Sequence, residues 1–113
     1  MTKTEFIECK NYAENKGFVI YHYPNGIESE DSIYLDNVET CYNLICNFFN
    51  NDTKNDVFMH YVLYNKNVHF LSCSARADKV ETVDEFKELL DDRIKRWKLC
   101  KQELKLNKLK EDF

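Results

Sequence analysis

The chain has 113 residues and a formal net charge of −4; 43% of its residues are hydrophobic and 14% are aromatic. This length supports one hydrophobic core but not two, and the apolar content excludes an intrinsically disordered chain. We therefore expect a single domain spanning residues 1–113, with residues 98–113 extending beyond its compact part.

The chain lacks the sequence features of exported and membrane-spanning proteins. Its N-terminal residues contain no apolar segment typical of a signal peptide, and no stretch approaches the roughly 18 consecutive apolar residues of a membrane span. We expect a cytoplasmic protein that contacts no membrane. In a reducing compartment its cysteines should be free thiols that pack as small hydrophobic side chains. They are Cys9, Cys41, Cys46, Cys73 and Cys100.

The first predicted element is a helix near the N-terminus. Thr2 and Glu5 form a Thr-x-x-Glu capping box, which is typical of a helix start. The helix is expected to run from about Lys3 to Asn15, where Gly17 supplies the C-terminal stop.

A β-hairpin is expected to follow this helix. Residues 17–23 are rich in aromatic and β-branched side chains, which favours a strand. Pro24-Asn25-Gly26 is typical of a turn. The return strand has its best segment at Ile33-Tyr34-Leu35.

A second helix is predicted in the middle of the chain. Asp36 and Glu39 resemble another capping box, and the polar residues 50–53 would end the helix. The apolar residues between them recur with the spacing of one helical face. They are Val38, Cys41, Tyr42, Ile45, Phe48 and Phe49.

Two further strands, Val57 to Tyr64 and Val68 to Ser74, are predicted to form a hairpin around residues 65–67. A two-residue turn would place Leu63 opposite Val68 and Met59 opposite Ser72. Residues 75–81 would connect this hairpin to the last helix.

The last helix is expected to begin at a capping box made by Thr82 and Glu85, and no Gly or Pro follows it. It would reach roughly 45 Å, which exceeds the expected diameter of the domain. The element order is therefore α-β-β-α-β-β-α. This order predicts an α+β fold with a small antiparallel sheet of about four strands, packed by helices, and a long C-terminal helix.

Three residues are of types that can bind a metal or act in catalysis. His60, His69 and Cys73 share a face of the second hairpin in the predicted register, and histidine and thiolate are zinc ligands. The chain has no C-x-x-C, no H-x-x-x-H and no glycine-rich nucleotide loop. We interpret these three residues as ordinary half-buried sheet residues, and we expect no catalytic residue, metal or cofactor. The alternative is a small enzyme or a metal- or ligand-binding domain that uses this face.

The charges are segregated along the chain. Residues 27–56 carry seven acidic residues against one lysine, and residues 81–92 carry six against one lysine. Residues 93–113 carry eight basic residues against three acidic ones. This pattern complements a helix dipole, and it also offers acidic surface to a basic partner. Nucleic-acid binding is disfavoured, because Trp97 is the only aromatic residue among the basic residues of the last helix.

We therefore predict a non-catalytic module that binds another protein through acidic and aromatic surface and the C-terminal helix. In size, acidity and lack of motifs the chain is similar to small phage-encoded inhibitors of host proteins. A homodimer through the C-terminal helix and an oligomeric scaffold subunit are the alternatives. The expected partner-binding residues are Glu28, Glu30, Asp31, Tyr34, Asp91, Asp92, Trp97 and Leu104.

Overall fold

A computed structural model describes residues 1–25 and 28–111, apart from the side chains of Asn25, Glu28 and Glu111. One helix precedes five strands, and a long helix follows them. The elements are α1 (Lys3–Asn15), β1 (Tyr21–Asn25), β2 (Glu28–Tyr34), β3 (Leu44–Asn50), β4 (Asn55–Asn65), β5 (Phe70–Val80) and α2 (Val83–Glu111), with a short 3-10 turn at Leu35–Asn37.

The N-terminal helix α1 has the predicted bounds and the predicted cap. The backbone N–H of Thr2 donates to the Glu5 carboxylate at 3.0 Å, and the N–H of Glu5 donates to the Thr2 hydroxyl at 3.1 Å. Gly17 follows the helix with a φ of 95°, a left-handed conformation that glycine adopts without strain. The capping box and the glycine stop are therefore confirmed.

The five strands form one antiparallel sheet in the order β1-β2-β3-β4-β5. Each strand pairs with its neighbour in sequence, so short connections suffice throughout. The predicted α+β class with a long C-terminal helix is confirmed, but the sheet has five strands where about four were expected.

The additional strand is β3, which replaces the predicted middle helix. Ile45, Cys46 and Phe48 are fully buried, whereas Val38 is 45% exposed and Tyr42 is 54% exposed. The helical spacing of the apolar residues was therefore misleading, because only Ile45 and Phe48 of that set enter the core. Both edges of β3 bond to neighbouring strands, β2 and β4, and this pairing outweighs the local helical pattern.

The β4–β5 hairpin is longer than predicted and differs in register. Leu63 lies opposite Ser72 and Asn65 opposite Phe70. The Asn65 side chain accepts the N–H groups of residues 67 and 68, at 3.0 and 3.4 Å, and so closes a turn that is longer than two residues. Strand β5 continues to Val80 through the segment predicted to be a connector.

A bulge divides this hairpin into two parts. On β5, residues 74–76 all lie opposite the single residue Tyr61 of β4, so the ladder is interrupted there. Before the bulge Val57 and Met59 are buried, and after it Val62 is buried. The buried positions of β4 therefore shift from odd-numbered to even-numbered residues at the bulge. Simple alternation along the sequence does not predict this shift.

The centre of the core is an aromatic cluster around Phe48. Its ring centroid lies 5.9 Å from that of Phe6 on α1 and 5.8 Å from that of Phe86 on α2. In the sheet, Phe48 lies opposite Val57, which lies opposite Val80, and all three are buried. Both helices therefore pack on the same face of the sheet.

Helix α2 contributes to this core only through its first part. Glu85 N–H donates to the Thr82 hydroxyl at 3.1 Å, which confirms Thr82 as the cap. Phe86, Leu90, Trp97 and Cys100 are buried, but none of residues 101–110 is. The protein is elongated as a result, with principal extents of 57 × 28 × 22 Å.

We predict that Phe48→Ala destabilises the protein by about 3–5 kcal/mol, because the variant leaves a cavity between both helices and the sheet. Phe49→Ala is the matched control, since Phe49 is the adjacent residue of β3 and only half-buried. Denaturant unfolding should show a clearly smaller loss for Phe49→Ala. Equal losses in the two variants would contradict this description of the core.

Candidate interaction surface

Among the predicted partner-binding residues, Asp31 proves to be an internal ion-pair partner. It is 8% exposed, and its carboxylate contacts the ammonium of Lys10 on α1 and Nδ1 of His22 on β1. Burial raises the pKa of Asp31, but the hydrogen bonds and charges of Lys10 and His22 more than offset this effect and hold the pKa below its ordinary value of 3.8. Asp31 therefore ties α1 to the first two strands.

Tyr34 is also part of the interior, with 8% of its surface exposed. Its hydroxyl lies 2.8 Å from the hydroxyl of Tyr23, which in turn donates to the Glu39 carboxylate. Its ring packs edge-on against Tyr21 at a centroid distance of 5.3 Å. This tyrosine cluster joins β1, β2 and the loop after β2, so Tyr34 is not available to a partner.

Trp97 is 5% exposed and anchors α2 to the turn that follows β2. Its Nε1–H donates to the carboxylate of Asp36 at 2.9 Å, and Lys101 Nζ donates to the same carboxylate at 2.8 Å. Burial raises the pKa of Asp36, but these two donors outweigh it and lower the pKa overall. Trp97 is therefore a core anchor of α2.

The turn that holds Asp36 has an uncommon backbone conformation. Asp36 and Asn37 have φ values of 60° and 55°, in the left-handed region that Asp and Asn tolerate better than most residues. Asn37 accepts the N–H of Val19 at 2.9 Å and donates to the carbonyl of Gly17 at 3.0 Å. Contacts with two other segments thus hold the turn where a helix start was predicted.

Among the described side chains, the other predicted acidic residues lie on two separate elements, β2 and α2. Glu30 is half-buried on β2, and the side chain of Glu28 lies outside the described residues. Asp91 accepts the hydroxyl of Tyr12 at 2.7 Å and lies 3.5 Å from Lys16 Nζ, so it docks α2 against α1. Asp92 pairs with its neighbour Arg93 at 2.9 Å. Much of the negative charge is therefore compensated within the domain.

The three candidate metal-binding or catalytic residues, His60, His69 and Cys73, lie in different local environments. His60 is buried at the bulge, with Nδ1 2.7 Å from the carbonyl oxygen of Ser74. Burial raises the pKa of the Cys73 thiol to about 12, so this thiol is protonated at neutral pH. His69 lies in the hairpin turn with a φ of 52°. Across residues 1–25 and 28–111, no three His, Cys, Asp or Glu side chains converge as a metal site requires.

An exposed row of leucines lies in the part of α2 that was predicted to contact a partner, although the predicted partner-binding residues include only Leu104 among the leucines of this helix. Leu99, Leu106 and Leu109 are 56%, 58% and 51% exposed, and we call these three residues the leucine ridge. With Lys95 and Gln102 they complete a 4-3-4-3 spacing, the repeat of a coiled-coil seam. This spacing can be recognised in the sequence, and it lies on a different side of the helix from the buried residue Trp97.

The distal part of the β4–β5 hairpin supports the helix on one side of the ridge. Arg96 Nε donates to the carbonyl of Val62 at 3.3 Å, and Asn107 donates to the Tyr64 hydroxyl at 3.0 Å. Lys66 Nζ lies 3.1 Å from the Glu103 carboxylate. A hollow of about 470 Å³ lies between hairpin and helix, and Leu99 lines it.

The other side of the ridge is strongly basic. A second hollow, of about 510 Å³, is lined by Leu104 and Gln102 together with four lysines. The predicted partner-binding residue Leu104 is half-buried and lies here. The lysines are Lys98, Lys101, Lys105 and Lys108.

No protein-family model, curated protein or solved structure matches the chain. Among the described residues, no helix has both the length and the apolar character needed to cross a membrane. The function of the protein is therefore inferred from the geometry of the surfaces described above.

We predict that Asp31→Asn lowers the stability at pH 7 by about 1–3 kcal/mol, because Lys10 loses its charged partner. The folded-state pKa of Asp31 is depressed, so its contribution is present above the ordinary pKa and lost as the pH falls through the folded-state value. The wild type should therefore lose stability below about pH 4 more steeply than the variant.

Denaturant unfolding as a function of pH measures this difference. Asp92→Asn is the control, because Asp92 is exposed and its one ion pair among the described residues is with its neighbour. Parallel pH profiles for the wild type and Asp31→Asn would show that the ion pair contributes nothing to folding.

Proposed function

We propose that this protein is a non-catalytic protein-binding module that docks a partner through the C-terminal half of α2. The observation that carries the proposal is the leucine ridge, whose three side chains are each more than half exposed. Exposed apolar side chains that are grouped in a row are typical of interaction sites, whereas single exposed ones are not.

A second exposed apolar group supports the proposal less well. Tyr42 and Phe70 pack edge-to-face at a centroid distance of 5.4 Å and so cover part of each other's surface. The leucines of the ridge instead repeat at the spacing used in helix–helix recognition. They also stand on a helix that the core and the hairpin hold in place, which lowers the entropy lost on binding.

The ridge is too small to account for stable binding by itself. Because each leucine is already half-covered, burying the rest contributes about 1 kcal/mol per side chain. Association costs at least about 4 kcal/mol in lost translational and rotational freedom. A specific partner must therefore also contact the polar surface beside the ridge.

Capture of binding partners from an extract of the source cells tests the proposal. The test variant combines Leu99→Gln, Leu106→Gln and Leu109→Gln, which keep helix propensity but remove the apolar ridge. The control is Ile7→Gln, since Ile7 is 45% exposed on α1. We expect the wild type and the control to capture the same protein and the triple variant to lose it. Capture that is unchanged by the triple substitution would overturn the proposal.

A non-catalytic docking module acts either by covering a surface of its partner or by recruiting the partner. The similarity in size and acidity to phage-encoded inhibitors makes inhibition of a host protein the form of this function that we propose. The activity of the captured partner, measured with the wild type and with the triple variant, tests it. Unchanged activity in the presence of saturating wild-type protein would restrict the role to recruitment.

A further inference from the structure

We infer that the leucine ridge binds an acidic amphipathic helix of a partner protein. This inference rests on the proposed function and specifies the chemistry of the partner. It combines two observations, the coiled-coil spacing of the ridge and the uncompensated positive charge beside it.

The spacing selects a helix as the binding segment. Lys95, Leu99, Gln102, Leu106 and Leu109 form a seam in which apolar residues recur every three or four positions. A second helix fills such a seam when its own apolar residues follow the same repeat. The seam is open in the structure, because all five of these residues are exposed.

The residues beside the seam select the charge of that helix. In a heptad repeat the positions next to the seam are Lys98 and Lys105 on one side, and Arg96, Glu103 and Lys110 on the other. Glu103, the only acidic residue among them, is already paired with Lys66 at 3.1 Å. Flanking charges of one sign favour a partner of the opposite sign.

Lysines that form no ion pair within the described part of the chain extend this basic surface. They are Lys95, Lys98, Lys105, Lys108 and Lys110, whereas Lys101 pairs with Asp36. A helix with glutamate beside its apolar seam would pair with several of these lysines at once. Such pairs supply the polar contacts that the leucines alone do not provide.

Three other occupants fit the surface less well. A second copy of this chain would bring the same lysines to the seam. Nucleic acid is disfavoured because Trp97, the aromatic residue among the basic residues of α2, is buried and cannot stack on bases. A membrane surface favours a broad apolar helix face with aromatic residues, whereas Gln102 interrupts the ridge and the hairpin borders it.

Binding of a synthetic peptide to the full chain tests the inference. The probe is a fluorescent helix of about three heptads with Leu at both seam positions and Glu beside them, and the matched control peptide has Lys in place of Glu. Fluorescence anisotropy should show binding of the Glu peptide that is at least about tenfold tighter than binding of the Lys peptide and that weakens with salt. The triple Leu→Gln variant should lose this binding, and Ile7→Gln should retain it.

Three results would overturn the inference. They are equal affinity for the two peptides, a wild-type dimer in sedimentation that the triple variant abolishes, and ridge-dependent binding of phosphatidylserine vesicles without binding of the Glu peptide. The cell-extract experiment separates the two proposals. Loss of the captured partner in the triple variant, together with failure of the Glu peptide, would refute the partner chemistry but leave the docking function standing.

Discussion

The packing of Phe48 against Phe6 and Phe86 is the interaction on which the rest of the structure depends. Phe48 lies on the middle strand of the sheet, and its ring meets both helices within 6 Å. One side chain therefore fixes α1 and α2 on the same face of the sheet. Because Phe86 lies in the first turn of α2, this contact anchors the start of the helix and leaves its other end to project.

The projection of α2 divides this helix into two parts with different roles. Phe86, Leu90 and Trp97 close the core, and the Trp97 indole is held by Asp36 from the turn after β2. Beyond them the helix is supported from one side by the extended β4–β5 hairpin, through Asn107 and Tyr64. The hairpin thus stiffens the segment that carries the leucine ridge without covering it, and a stiff segment loses less entropy when it binds.

Features controlled by neighbouring residues could be predicted from the sequence. Both helix starts depend on a side chain that caps a backbone group three residues away, at Thr2 and at Thr82, and both were predicted correctly. Strand β3 was missed, since its residues fit a helical period and only pairing with β2 and β4 decides its structure. The hairpin register was missed because Asn65 closes a longer turn than the sequence suggested.

The burial of several predicted partner-binding residues was harder to predict for the same physical reason. Burial of Asp31, Tyr34 and Trp97 depends on partners remote in sequence, as the pairing of Trp97 with Asp36 illustrates. Unless such a partner is known, a charged or aromatic residue is predicted to lie on the surface. The leucine ridge depends only on spacing within one helix, so its geometry was accessible from the sequence, whereas its exposure required the fold.

Hydrogen exchange along α2 tests the docking role of its second half most directly. In the protein alone, amide protection should be strong around Phe86–Trp97 and should decrease beyond Cys100, the last buried residue of α2 within the described part of the chain. When the Glu peptide is added, protection should rise in residues 98–110 and remain unchanged elsewhere. Unchanged protection of residues 98–110 on addition of the Glu peptide, or a rise confined to another surface, would contradict the role assigned to the ridge.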